Sequence, residues 1–287
     1  MKPSVKQLLK PRARHSHKGD YGRILVVAGS RGLSGACILA ATGALRSGAG
    51  LVTIGVPETL HLPLARRLLE AMMKPLPETR AGTLSLKAYQ PLAQFLKTQD
   101  VLAIGPGLSQ EKETQALIRK VVQHSSKPMV IDADGLNAFI EKTGLFKKLK
   151  APAILTPHPG EFSRLFSGGK FHSSEERKEA AQLAAQTFHV YVVLKGHETV
   201  VAAPDGRIEV NHTGNAGMAT GGAGDVLTGV IAAMLGQGLQ PFDAARAGVY
   251  IHGLAGDLAV KKTGELSLLA GDILDCLPDA FKKTLGR

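Results

Sequence analysis

The chain has 287 residues, 44% of them hydrophobic, which is enough for one large core without disulfide support. The lack of tryptophan and a 5% aromatic content exclude a stacking platform for single-stranded nucleic acid, and no apolar run approaches the ~18 residues of a membrane span. A formal charge of +11 points to an anionic partner, a small phosphate-bearing ligand over nucleic acid, because the basic residues are spread along the chain and no nucleic-acid motif occurs.

Residues 1–19 read as a basic arm able to pack on the body, without the apolar stretch of a signal peptide. Six short runs rich in Val and Ile then follow: Ile24–Ala28, Leu51–Val56, Val101–Ile104, Met129–Ile131, Ala153–Leu155 and Val190–Leu194. None alternates with polar residues, which predicts strands buried on both faces. Between and after them, Gly35–Ser47, Leu84–Lys97, Glu111–His124, Ser174–Thr187, Asp225–Leu235 and Phe242–Val260 carry helical patterns. Alternation of strand and helix predicts a single α/β domain over 1–287, a parallel sheet covered by helices. Cys37 and Cys276 stand far apart with no zinc spacing, so a reducing, cytoplasmic setting is expected.

Five of the strands run into polar, glycine-rich sequence, where open α/β sheets bind ligands. Ala28–Gly35 carries Gly29, Gly32 and Gly35 but not the dinucleotide-binding spacing. Gly105–Ser109, Asp132–Asn137, Thr156–Glu161 and Lys195–Thr199 follow the later strands, and Val200–Ala203 with the turn Pro204–Gly206 predicts a β-hairpin at the rim. Asp132 and Asp134, with Glu161, could hold water and Mg²⁺ near phosphates, or the Asp-x-Asp-Gly pair could be a simple Asx turn. Pro157 and Pro159 frame a rigid turn presenting His158 and Glu161. His17, His212 and His252 lack ligand spacing and read as ordinary polar residues.

The densest signal is Gly214–Asp225, which contains Gly221, Gly222 and Gly224 and leads straight into a helix. Glycines at a helix start expose free N–H groups and make an anion hole. Asp225 could be an N-cap there, but a lone acid after so many glycines points to a general base beside a phosphate. No Gly-Lys-Ser/Thr follows, so this is not a Walker A loop.

Together, Lys18–Arg23, Ser34–Ala36, Ala44–Val52, Gly105–Leu108, Asp132–Asn137, Thr156–Glu161, Lys195–Thr199 and Gly221–Gly229 resemble the ADP-dependent NAD(P)H-hydrate dehydratases of the ribokinase-like superfamily. The similarity spans roughly residues 18–260. Its specific parts are Thr156–Glu161 and Gly105–Leu108; the Gly-x-Gly-Asp element alone says only ribokinase-like. Ser109 stands where the family commonly has glycine, and Ala223 where it commonly has threonine.

The resemblance implies a three-layer α/β/α fold with a mostly parallel central sheet. It implies repair of the hydrates NADHX and NADPHX with ADP, or ATP, as phosphoryl donor: phosphorylation of the C6 hydroxyl is followed by loss of phosphate. It places Ala36, Gly107, His158 and Asp225 at the hydrate, with Asp225 catalytic. Lys195, Gly196, His197, Glu198, Thr199 and Gly224 fall at the adenine nucleotide, and Glu161 near Mg²⁺. It also implies a homotetramer, while the composition and the lack of motifs already argue against a membrane or nucleic-acid partner. With no room for the fused epimerase domain of some members, action on the S epimer alone is expected. A vitamin or thiazole alcohol kinase of the same superfamily, and a non-catalytic nucleotide sensor, are the competing readings.

Overall fold

The computed structural model describes residues 4–166 and 171–286. Among them nine strands form one sheet: β1 (Arg23–Val27), β2 (Leu51–Pro57), β3 (Met72–Leu76), β4 (Val101–Ile104), β5 (Met129–Ile131), β6 (Ala153–Leu155), β7 (Tyr191–Leu194), β8 (Thr199–Ala202) and β9 (Ile208–Asn211). The helices are α1 (Val5–Leu8), α2 (Ser34–Arg46), α3 (His61–Ala65), α4 (Tyr89–Leu96), α5 (Lys112–His124), α6 (Asp134–Asn137), α7 (Pro159–Phe166), α8 (Ser174–Phe188), α9 (Ala223–Gly236), α10 (Pro241–Thr263) and α11 (Ala270–Leu285).

The sheet order is β3-β2-β1-β4-β5-β6-β7-β8-β9. β1 to β7 run parallel, and β8 and β9 return antiparallel as a hairpin. The chain winds outward from β1 in one direction and from β4 in the other. The loops after β1 and β4 therefore diverge and open a crevice between them.

Alternate strand residues feed two separate cores, which is why the runs read as continuously apolar. Leu25, Val27, Leu102, Ile104 and Ile131 pack with Leu92, Leu117, Val121 and Ala185 on the α4, α5 and α8 side. Ile24, Val26, Ala103 and Val130 pack with Ala40, Ala44, Ile231 and Ala245 on the α2, α9 and α10 side. A third cluster adds α11 outside α9 and α10 through Ile273 and Leu277 against Val226, Val230 and Ile251. The result is three layers, with α9 an inner helix buried on every side from Val226 to Leu235.

That burial depends on close approach. A Cβ on Gly229 would fall 2.0 Å from the Ala40 carbonyl oxygen and 2.7 Å from the Ala44 nitrogen on α2. Gly229→Ala must therefore push α9 off α2, and is expected to cost roughly 3 kcal/mol in chemical denaturation. Wild-type stability would show that the two helices can part freely.

All six predicted strands are present, and the predicted hairpin is β8–β9. β3 departs from the pattern because Lys74 and Pro75 interrupt it, which an edge strand tolerates. The predicted helix Leu84–Lys97 is shorter: Glu78 and Leu84 form a bridge, a 3-10 turn covers Leu86–Ala88, and α4 starts at Tyr89. Of the predicted arm, residues 1–3 lie outside the described residues. The rest lies on the body: Val5, Leu8 and Leu9 join the second core, and the Arg12 guanidinium covers the Tyr21 ring at 4.2 Å and donates to the Gly48 carbonyl. Among the described residues no helix is long and apolar enough to cross a membrane.

Candidate active site

The loops at the carboxyl edge of the sheet are tied to one another by backbone contacts. Gly29 N–H donates to the Pro106 carbonyl at 2.8 Å, and Ser30 Oγ donates to the Gly107 carbonyl at 2.8 Å. A Cβ on Gly107 would meet the Ala36 Cβ at 2.9 Å, so these two predicted hydrate contacts are neighbours across the β1/β4 crevice. Ser109 takes a left-handed φ of 77° and donates its N–H to Asp134 Oδ2 at 2.8 Å, which is why glycine suits this position. Asp134 also accepts from Asn137 Nδ2 at 3.1 Å, so it fastens two loops together. Cys37, behind the first loop, donates to the Ser34 carbonyl, and burial pushes its thiol up to about 12, which removes thiolate chemistry from the site.

The start of α9 faces this edge. Gly222, at φ 90°, precedes Ala223, so Asp225 is the third helical residue and does not cap the helix. Ala223 N–H reaches the Thr220 carbonyl and Val226 N–H that of Gly222. The N–H groups of Gly224 and Asp225 reach no acceptor among the described residues, and so stand free for an anion. The Asp225 carboxylate makes no hydrogen bond or ion pair among the described residues. Burial, and then repulsion from Asp132, Glu161 and Asp134, lift its pKa from 3.8 to about 7, against the pull of Lys195.

Lys195 is the cation at the centre of these acids. Its Nζ lies 2.8 Å from Asp132 Oδ1 and 3.9 Å from Glu161 Oε2. Burial alone would lower the ammonium pKa; attraction to Asp132 and Glu161 outweighs it, and the net shift is upward. A Cβ on Gly224 would come within 3.2 Å of Nζ, so the ammonium and the first turn of α9 border the same space. Asp132 is buried at 1% exposure, and its Oδ2 accepts from Thr228 Oγ1 at 2.7 Å.

His158 and Glu161 meet at the start of α7. His158 N–H donates to Glu161 Oε2 at 2.8 Å, and His158 Nδ1 accepts from Gly160 N–H at 3.0 Å. The imidazole, half exposed, thus caps the helix while bordering the cleft, and Pro159 occupies the first helical position. The predicted turn is the first turn of a helix.

In Lys195–Thr199 only the lysine side chain turns into the acid cluster. Thr199 Oγ1 donates to the Gly196 carbonyl, and Glu198 accepts from Ser174 on α8 with His212 Nδ1 3.4 Å away. The loop is braced by Arg177, which donates to the carbonyls of Leu194, Lys195 and His197. Arg177 carries no local sequence signal, being one of several charged residues in the first two turns of α8. His17 accepts from Gly19 N–H in its own turn, and burial holds His252 down at about 4, so it is neutral.

Among the described residues no group of three or more His, Cys, Asp or Glu side chains is arranged to hold a metal ion. Asp132 and Asp134 have both oxygens engaged, and Glu161 has one. This donor set suits a Mg²⁺ carried mainly on phosphates, with one oxygen of Glu161 and the Asp225 carboxylate left unengaged.

The raised Asp225 pKa has a consequence for stability. Asp225 binds its proton more readily folded than unfolded, so it costs stability where it is ionised in both states, above about pH 7; the cost disappears below about pH 4. The full shift would be worth at most ~4 kcal/mol, reduced to ~1–2 by solvent at a partly open site. Asp225→Asn is therefore expected to be more stable than wild type at pH 8 and equal to it at pH 3.5, in paired urea titrations. Equal stability at both pH values would mean that the carboxylate is well solvated.

Residues 24–279 match the family model described as NAD(P)H-hydrate dehydratase. The chain is 37% identical over 279 residues to the ADP-dependent (S)-NAD(P)H-hydrate dehydratase of Bacillus subtilis, covering 97% of this chain and 96% of that protein. It is 48% identical over 270 residues to the bifunctional NAD(P)H-hydrate repair enzyme of Moorella thermoacetica, covering 94% of this chain but 51% of that protein; it spans about half the length of the bifunctional relatives it matches. The crystal structure of the ADP/ATP-dependent NAD(P)H-hydrate dehydratase of B. subtilis, co-crystallised with ATP/Mg²⁺, superposes with a TM-score of 0.85 at 35% identity, over 98% of this chain and 96% of that one. A ribokinase-like superfamily protein of Enterococcus faecalis superposes with a TM-score of 0.83 at 29% identity, over 99% and 94% of the two chains, and the fold is the ribokinase-like three-layer α/β/α arrangement.

Proposed function

The chain belongs to the NAD(P)H-hydrate dehydratase family, and from that premise we propose that it regenerates NADH and NADPH from the S epimers of their hydrates, converting ADP to AMP and phosphate. The observation that carries this reading is the Asp225 carboxylate, unpaired and lifted to about 7, beside the free N–H groups of α9.

The hydrate lies across Ala36, Gly107 and His158, and the adenine nucleotide lies along Lys195–Thr199 with its phosphates at Gly224. Asp225 accepts the C6 hydroxyl proton as that oxygen bonds to the terminal phosphorus of ADP and AMP departs. Lys195 and the α9 amides stabilise the charge that gathers on the transferring phosphoryl oxygens. The ring nitrogen then pushes out phosphate, C5 loses a proton, and the 5,6 double bond returns. Phosphate is the better leaving group, which is why a nucleotide is consumed to remove one water. Glu161 would face a Mg²⁺ brought in on the nucleotide phosphates, which would supply charge neutralisation there. ATP fits the same groups. The reading extends to a homotetramer in the cytoplasm; light scattering tests the first, and the two free buried cysteines support a reducing setting.

The test is the product. Phosphorus NMR of hydrate with ADP should show AMP and free phosphate in equal amounts. A phosphate ester that accumulates and persists would make the protein a kinase instead.

His158→Ala should raise the hydrate KM roughly three- to tenfold, leave ADP affinity unchanged, and lower the melting temperature through the lost cap. His158→Asn keeps a capping acceptor and should show the ligand effect alone. Equal losses for ADP and hydrate would remove His158 from the hydrate site.

A further inference from the structure

Lys195 is held from behind by the same helix that forms the other half of the anion site. We propose that Thr228 is a positioning residue for nucleotide binding: through Asp132 it fixes the Lys195 ammonium against the first turn of α9. This deepens the reading above and rests on its placing of Lys195 at the adenine nucleotide.

The chain of contacts is continuous. Thr228 Oγ1 donates to Asp132 Oδ2 at 2.7 Å, and Asp132 Oδ1 takes Lys195 Nζ at 2.8 Å. Thr228 is 0% exposed, so water cannot replace its hydroxyl. A threonine inside a helix usually turns its hydroxyl back to a carbonyl of the preceding turn; here it reaches out of the helix to a loop 96 residues away. Asp132, nearly as buried, thereby has a partner on each oxygen and one orientation.

The lysine is left with donors to spare. One of its three N–H groups goes to Asp132, and Glu161 at 3.9 Å is too far for a hydrogen bond. The space beyond Nζ is the space over Gly224, where N–H groups of α9 are also free. A phosphate oxygen there would meet ammonium and amides together. A lysine stem has four rotatable bonds, and fixing it before the ligand arrives avoids losing that freedom on binding. Because Thr228 and Asp225 share one helix, three residues apart, the ammonium and the carboxylate are set by one rigid body.

The test is titration calorimetry of the full chain with ADP and Mg²⁺. Thr228→Val keeps the shape and removes the donor, and should weaken ADP binding roughly 5- to 30-fold. The hydrate KM should stay within twofold, and Thr228→Ser should return ADP affinity to within about twofold of wild type. Thr228→Cys, with a weaker donor of similar size, should fall between, and serves if the valine variant does not fold. ADP affinity unchanged in the valine or cysteine variant, equal weakness in valine and serine variants, or equal losses for ADP and hydrate would overturn the proposal. Wild-type protein that binds ADP without re-forming NAD(P)H would sink the dehydratase reading yet leave the ADP titrations decisive. Wild type that binds no ADP overturns both.

Discussion

Asp225→Asn is expected to lower turnover by about 10²–10⁴-fold while ADP still binds. The amide has the size and shape of the carboxylate but cannot accept the C6 hydroxyl proton. Among the described residues Asp225 is the carboxylate at the mouth of α9 with neither oxygen engaged: Asp132 and Asp134 are each hydrogen-bonded on both oxygens, and Glu161 Oε2 is held by the His158 amide. The wild-type rate should also fall on the acid side of about pH 7, where Asp225 takes up its proton, and the variant should lose that limb. Single-turnover rates for both proteins, with ADP affinity measured beside them, check the expectation. Turnover within a few-fold of wild type would take Asp225 out of the mechanism.

Lys195→Met should damage the protein twice. Methionine fills the space of the stem, but Asp132, at 1% exposure, loses its counter-charge. Removing one partner of a buried pair costs about 3–5 kcal/mol, because the other charge remains in the interior. ADP affinity should fall as well, since the ammonium is the cation bordering the free amides of α9. The two effects separate in a double variant. Adding Asp132→Asn removes the stranded charge and should restore much of the stability, but not the ADP affinity. Thermal melts and ADP titrations of both variants beside wild type read this out. A Lys195→Met protein as stable as wild type would mean that Asp132 is protonated or solvated in the fold.

What the sequence shows of this fold follows from burial. β1, β2 and β4 to β7 are covered on both faces, so each is a predominantly apolar run without polar alternation. β3 is an edge strand, and Lys74 and Pro75 hide it. α11 carries Pro278 in its interior, which reads as a break, yet its Ile273 and Leu277 complete the third core. Within the site, glycine-rich loops are legible because close backbone approach leaves no other residue type possible, as at Gly105, where a Cβ would lie 1.8 Å from the Asp132 carbonyl oxygen. The capping alternative for Asp225 is settled only by the fold, in which Gly222 occupies the cap. Thr228 and Arg177 carry no local signal, because each acts on partners distant in sequence. Nor does the basic charge collect at the site: Asp132, Glu161 and Asp225 surround Lys195, while Lys6, Lys10, Arg12, Arg14 and Lys18 lie exposed on the amino-terminal arm. Net charge therefore does not locate the candidate site, which is built largely of acids and backbone amides.

The most direct measurement is the near-ultraviolet absorbance of the reduced nicotinamide ring, followed after purified S hydrate is mixed with the protein, Mg²⁺ and ADP. Hydration abolishes that band, so its return reports re-formation of the 5,6 double bond alone. The band should recover with ADP, fail to recover without nucleotide, and recover at least 10²-fold more slowly with Asp225→Asn. No recovery with ADP or ATP, by protein shown to bind the nucleotide, would contradict the proposed dehydration.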